Sequence, residues 1–237
     1  MNGDQSDGIE TIILDADDLG PGIDLLADSL HDIPLYTWLL GERVSDRSLR
    51  RWLAEILVRP LLGVGCVIGA RRDGRLVGML VFQPHDTDLS PGGEPPLTPA
   101  DFTVLANVPG VRERVAELLT STRLASPVDD AVNLRIAIVA PEERGGRALI
   151  GMMREIERFC IAASRPYYAW TGSEDLRRYY TQVWGASEFA VQDWNGITMY
   201  GLVSDRPPRP RPEPDPARGS SRSGSDDHIR HVLGSNC

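Results

Sequence analysis

Residues 133–148 read Asn-Leu-Arg-Ile-Ala-Ile-Val-Ala-Pro-Glu-Glu-Arg-Gly-Gly-Arg-Ala, and the reading of the fold turns on them. Asn133 to Ala140 is an apolar, β-branched run that suits a buried central strand. Pro141 to Ala148 is a turn rich in Gly and Arg. Behind it Leu149, Met153, Ile156 and Cys160 recur at helical spacing, with Ile150 and Met152 alongside. Arg165-Pro166 stops that helix. Tyr167 to Thr171 is a second strand, and Ser173 to Tyr180 begins a second helix carrying Tyr179 and Tyr180. A strand that enters a helix through such a turn leaves backbone N–H groups and the positive end of the helix dipole facing outward. Arg144 and Arg147 add fixed positive charge at the same place. This combination predicts a phosphate-bearing ligand at the turn.

Upstream, Ile9 to Leu14 suits a first strand. Ile23, Leu26, Ala27 and Leu30 form a helical face, which Asp17 or Asp18 is placed to cap. Ile33 to Leu40 is an apolar stretch with Pro34, Tyr36 and Trp38. Ser45 or Asp46 caps a further helix with Leu49, Trp52, Leu53, Ile56 and Leu57 on one face, and Pro60 is expected to end it. Cys66 to Ala70 and Leu76 to Gln83 read as strands joined by Arg72-Asp73-Gly74-Arg75, a hairpin turn. The connection at about 85–130 is long, and its helical faces predict a helical insert starting at Thr98 or Asp101 and interrupted at Pro109-Gly110. Val111, Val115, Leu118 and Leu119 form the second of those faces. Downstream, Glu188 to Trp194 and Ile197 to Val203 form a hairpin about Asn195-Gly196. The expected layout is a disordered 1–8, a domain over 9–204, and a disordered Pro/Arg/Ser-rich tail over 205–237.

Composition narrows the chemistry. The chain has 237 residues, 41% of them hydrophobic, enough for one domain with a real core. A formal net charge of -9 argues against nucleic acid and against an anionic membrane surface as partners. Every basic residue is Arg, so a lysine base or Schiff base is excluded. Cys66, Cys160 and Cys237 are widely spaced and form no metal-binding pattern, and His228 and His231 in the tail are too sparse for a site; no metal is expected. The N-terminus is acidic and polar, unlike a signal peptide, and no apolar run approaches a membrane span. A reduced, cytoplasmic protein is the expectation.

Over about Ile9 to Ser204 the element order resembles that of the GCN5-related N-acetyltransferases, most specifically over Asn133 to Phe189. The resemblance implies an α/β (α+β) fold. Its central mixed sheet is mostly antiparallel, with a V-shaped splay between two central parallel strands and helices on its flanks. It further implies acetyl-coenzyme A as cosubstrate. Val139-Ala140-Pro141 matches the Val-x-Pro end of the family's bulged cofactor strand, so Ile138, Val139 and Ala140 would bind pantetheine through main chain. The family's pyrophosphate turn reads Gln/Arg-x-x-Gly-x-Gly/Ala. One alignment takes Glu143, Gly146 and Ala148. A second starts at Arg144 and sets Arg147 where Gly belongs. A third shortens the turn by about three residues between Gly145 and Gly146. Arg144, Gly145, Gly146, Arg147 and Ala148 are the phosphate-side residues on these readings. Ser173 stands where family members often have Asn and joins the cofactor side. Tyr180 matches the tyrosine near the coenzyme A sulfur, the general acid for the leaving thiolate; Tyr179 takes that role if the helix is rotated.

On the same resemblance an amine attacks the thioester directly, and the acceptor is a small-molecule amine, such as an antibiotic or secondary metabolite. His31, Tyr36, Trp38 and His85 lie in segments that wall the acceptor side in this family. Core packing is an equal reading for Tyr36 and Trp38. His31, Asp32, Glu42 and His85 are the candidates for a base, and His31 alone has an ordinary pKa near neutrality. Homodimers are common in the family, although no interface is marked in the residues. Two other functions stay open: an acyltransferase of this fold using another acyl-CoA or a carrier-bound acyl group, and a non-catalytic regulatory or binding module with a degenerate phosphate turn.

Overall fold

The computed structural model describes residues 8–90, 93 and 95–209. Most of both expected tails, with His228, His231 and Cys237, lies outside the described residues.

Seven strands form one sheet in the order β1-β2-β3-β4-β5-β7-β6. They are β1 (Ile9–Ile13), β2 (Val67–Arg72), β3 (Arg75–Gln83), β4 (Val132–Val139), β5 (Tyr167–Thr171), β6 (Ser187–Trp194) and β7 (Ile197–Val203). The pairing is antiparallel throughout except between β4 and β5, which run parallel. Two turns were legible for a physical reason. Asp73-Gly74 and Asn195-Gly196 both take positive φ, the geometry that tight hairpins need and that Asx-Gly pairs accept.

Three helices precede β2: α1 (Leu19–Ser29), α2 (Pro34–Leu40) and α3 (Arg47–Leu62). The stretch Ile33 to Leu40 is thus mostly helix, with Pro34 in the first turn, where its missing N–H costs nothing. Asp18 stands at the N-cap of α1 as expected, but its side chain makes no cap hydrogen bond there. Asp15 caps a 3₁₀ turn over Ala16–Asp18, and Asp18 turns back to accept from Asp15 N–H and to pair with Arg71. Asp46 caps α3, accepting from Ser48 N–H at 3.0 Å and Leu49 N–H at 3.2 Å. Pro60 does not end that helix. It lies in the last turn, and α3 continues because Leu61 and Leu62 are buried and Gly63 N–H still reaches Arg59 C=O.

The long connection contains α4 (Pro99–Ala106) and α5 (Pro109–Thr120). Thr98 caps α4 in a reciprocal pair with Asp101. Pro109 begins α5, whose Val111 is buried while Leu119 faces solvent. Then come α6 (Arg147–Ala163) after β4 and α7 (Glu174–Gln182) after β5. The pleat of β3 separates the two layers of helix. Met79 meets Gly22 of α1, whereas a side chain at Gly78 would run into Met152 of α6. So α6 covers β1 to β4 on one face, and α1 with α3 covers the other. The core runs through both layers, with Leu26, Leu30, Leu53, Ile68, Leu80, Met152 and Ile156 almost fully buried. Among the described residues no helix is long and apolar enough to cross a membrane.

Candidate active site

Strands β4 and β5 pair through Val132–Tyr167, Asn133–Tyr168 and Leu134–Ala169, and the ladder stops there. Yet β4 runs on to Val139 and β5 to Thr171. The two parallel strands therefore part in the middle of the sheet. A bulge helps to part them: Val81 and Phe82 of β3 oppose Ile136 and Leu134, which leaves Arg135 as an extra residue on β4.

The splay exposes main chain. Ala140 N–H donates to Val77 C=O at 2.8 Å. By the alternation of an antiparallel ladder, Ile138 and Ile136 then direct their main-chain groups at β3, while Val139 and Ala137 direct theirs into the opening. This corrects the expected run of contacts from Ile138 to Ala140. Val139 faces the splay, Ala137 joins it, and Ile138 contributes only side chain.

A cavity of ≈ 100 Å³ occupies the splay. That is room for several water-sized groups, the size of a thioester end rather than of a whole cofactor. It is lined by Leu134 to Ile138 of β4, Ala169 to Ser173 at the end of β5, Asp32 to Tyr36 before and within α2, Leu176 and Tyr180 of α7, and Met199 of β7. Gly172 lets these parts meet. A Cβ there would lie 3.1–3.3 Å from Ile197, Pro34 and Met199 together.

Tyr180 is buried and lines the cavity. Its neighbour Tyr179 packs against Trp184, with ring centroids 6.5 Å apart, and does not line it. Ser173 orients the helix that carries Tyr180: its Oγ accepts from Leu176 N–H at 3.3 Å, which caps α7. Tyr36 of α2 also lines the cavity. Burial pushes its phenol up to about 12, against the pull of the Arg135 charge, so at neutral pH it is a hydroxyl donor.

The Gly/Arg turn lies between the end of β4 and α6. Pro141–Glu143 makes one 3₁₀ turn, Gly145 has φ 76°, and Gly146 caps α6 with no side-chain hydrogen bond at the cap. A Cβ on Gly146 would come within 3.0 Å of Glu143 C=O, so both glycines are required by the backbone path. The first N–H groups of α6 face outward without a capping side chain or an acidic residue in the first turn. Glu142 and Glu143 are turned back to the β2–β3 hairpin, where they pair with Arg75 and Arg72. Ala148 is buried and Arg147 exposed. Arg144 leans across to the acceptor side. Its Nη2 donates to Asp32 Oδ2 at 2.9 Å, and only 13% of its side chain is exposed.

Of the acceptor-side residues expected from sequence, Tyr36 lines the cavity, and His31 does not but stands beside the lining residue Asp32, with Nε2 3.2 Å from its Oδ1. Trp38 does not line it. It packs edge-to-face on Trp194 at 5.4 Å, the core reading of that residue. His85 is also away from the cavity, exposed beside Asp86. Glu42, in the turn after α2, does not line it either. Asp32, weighed from sequence only as a base, proves central because it joins cavity and turn. Arg135, Leu176 and Met199 carry no signal of the site in the sequence, since a bulge and the approach of distant elements leave no mark in residue spacing. Among the described residues no cluster of His, Cys, Asp and Glu is placed to hold a metal ion.

No family model matches the chain, and no curated protein matches it in sequence. Solved structures do match. A histone acetyltransferase HPA2 and related acetyltransferase from Corynebacterium glutamicum aligns with a TM-score of 0.59 at 14% identity, over 86% of this chain and 98% of the other. Arylalkylamine N-acetyltransferase 2 from Aedes aegypti aligns with a TM-score of 0.58 at 15% identity, over 83% and 98%. A polyamine N-acetyltransferase of Drosophila melanogaster that forms N-acetylagmatine aligns with a TM-score of 0.53 at 16% identity, over 83% and 99%. At such identities the likeness speaks for the fold.

Proposed function

We propose that this chain, which has the fold of the GCN5-related N-acetyltransferases, is an acetyl-coenzyme A-dependent N-acetyltransferase of small-molecule amines. The observation that carries the proposal is the splay itself. Outward-facing main chain at Ala137 and Val139 leads from a helix start built on Gly145 and Gly146 to a cavity lined by Tyr180. An extended amide-bearing arm with a pyrophosphate at one end and a thioester at the other fits that sequence of groups. The glycines keep side chains off the phosphate, and the uncapped N–H groups of α6 supply donors for it.

The donor supplies an activated acyl carbon. The neutral amine attacks it, the C–N bond forms as the C–S bond breaks, and Tyr180 gives its proton to the leaving thiolate. Asp32 lines the cavity and His31 stands beside it, and the proton lost by the amine would be taken up there directly or through water. The amine acceptors named for two of the structural neighbours support a small amine here, as does the acidic balance of the chain.

The test is calorimetric titration of the full chain with acetyl-coenzyme A, with coenzyme A in comparison, followed by an amine screen. Micromolar binding and turnover with an amine are expected. Binding of longer acyl-coenzyme A only, or turnover only from a carrier-bound acyl group, would move the assignment to another acyl donor. Binding of none of these donors would leave a non-catalytic module of the same fold.

A further inference from the structure

We propose that Arg144 is a shared ligand: Asp32 holds it in this structure, a bound donor's phosphate draws it away, and the released Asp32 carboxylate then meets a cationic acceptor. The inference rests on the donor reading above and adds to it a coupling between the two halves of the site.

The geometry that carries it is the bridge itself. Arg144 belongs to the turn before α6, while Asp32 belongs to the turn before α2 and lines the cavity. Their 2.9 Å contact ties the phosphate side to the acceptor side. The bridge is incomplete on the arginine's part. A guanidinium has five N–H donors, and Arg144 Nε is buried with no hydrogen-bond partner. A nearly buried, under-satisfied cation gains by meeting a group with more acceptor oxygens, and a phosphate accepts the planar fork in bidentate fashion.

Other charges of the turn do not compete for this role. Glu142 and Glu143 pair with Arg75 and Arg72 of the hairpin; Glu142 feels the Arg144 charge only as a weaker, secondary attraction, and neither carboxylate repels an anion at full strength. Arg147, exposed at the first turn of α6, adds to the pull on the same phosphate. Asp32 in turn has somewhere to go: its side chain is 34% exposed, and His31 Nε2 already stands 3.2 Å from its other oxygen. While Arg144 neutralises it, Asp32 is a poor counter-charge for an amine. Once freed, it is the carboxylate nearest the cavity on the α2 side.

The experiment is titration of the full chain with coenzyme A in wild type, Asp32→Asn, Arg144→Ala and the double variant. Removing the competing carboxylate should tighten coenzyme A about three- to tenfold, the range of a half-exposed, charge-assisted pair. Arg144→Ala should weaken it, and in that background Asp32→Asn should change affinity by less than about 1.5-fold. No gain in Asp32→Asn, or an equal gain in both backgrounds, overturns the proposal, because the effect would then be absent or merely long-range. A second readout serves if Arg144→Ala binds too weakly to measure. In ¹⁵N-arginine-labelled wild type the Arg144 Nε resonance should move on adding coenzyme A, and an unmoved resonance overturns the proposal. Wild type that binds no coenzyme A would sink the donor reading itself, and this inference with it; a wild type that binds while Asp32→Asn is silent sinks this inference alone.

Discussion

Two tyrosines from different helices line one cavity, and their environments prepare them for different work. Tyr180 sits on α7 within the splay, where a thiolate would leave. Replacing it by Phe keeps the ring and removes the proton. We expect kcat to fall about 100-fold, the low end of a general-acid contribution, with little change in donor KM. Steady-state kinetics across pH would check this, and full activity at every pH would rule Tyr180 out as the acid. Tyr36 is the buried partner, raised to about 12 by desolvation. Its folded pKa thus lies above its unfolded value near 10. The stability it contributes is complete below about pH 10 and is lost as pH rises toward 12, by about 2–3 kcal/mol. Urea melts at pH 9 and pH 11 should show about half of that loss, roughly 1.4 kcal/mol, in wild type and a smaller one in Tyr36→Phe. At this scale the sequence was a partial guide. Tyr180 could be found because it stands in a motif. Arg135 could not, because what matters is its place in a bulge set by the neighbouring strand.

Elements position these residues, and one buried carboxylate holds the inserted helices to the rest. Asp101 of α4 is 4% exposed. It accepts from Arg59 at 2.7 Å and Trp52 Nε1 at 3.1 Å on α3, and from Thr98 N–H at 2.7 Å and Thr98 Oγ1 at 2.8 Å. Burial works against its charge, but Thr98 and Arg59 outweigh it and hold the carboxyl below its ordinary value. A depressed pKa gives stability that is present above the unfolded value near 4 and lost as pH falls through the folded one. Asp101→Ala would leave the Arg59 charge without that partner, and we expect about 3 kcal/mol of destabilisation at pH 7 in denaturant melts. The difference should shrink as pH falls below about 4. A capping box is visible from Thr98 and Asp101 alone, but the two partners on α3, more than forty residues earlier, are not. Pro60 teaches the same lesson in reverse. Its local tendency to stop a helix gives way to the burial of Leu61 and Leu62. Strand β4 offers a sharper check. Amides of Ala137 and Val139 should exchange with solvent faster than those of Ile136 and Ile138, and coenzyme A should slow the first pair. Equal rates, measured by NMR, would contradict the register of the splay.

Across the whole molecule, β1 to β4 with their helices meet β5 to β7 at a ladder of three residue pairs. A donor lying in the splay would span that junction and stabilise both sides together. At a free concentration 100 times its Kd, a ligand adds about 2.7 kcal/mol, which raises Tm by roughly 5–10 °C in a domain of this size. A thermal melt with and without coenzyme A checks it, and an unchanged Tm would mean that coenzyme A does not bind the folded chain.

What the sequence determined by itself was local and periodic. The strand, Gly/Arg turn and helix of 133–163, the two Asx-Gly hairpins and the capped start of α3 follow from spacing, φ preference and hydrogen-bonding side chains close by in the chain. The fold followed from these through the family resemblance that they carry. The tertiary structure alone decided the rest: where β4 parts from β5, which main-chain groups face the opening, that Trp38 goes to the core while Tyr36 goes to the cavity, and that Arg144 reaches Asp32. Each depends on groups distant in sequence meeting across the sheet. No residue's own propensity encodes such a meeting, because its energy exists only once both partners have been brought together by the packing of everything else.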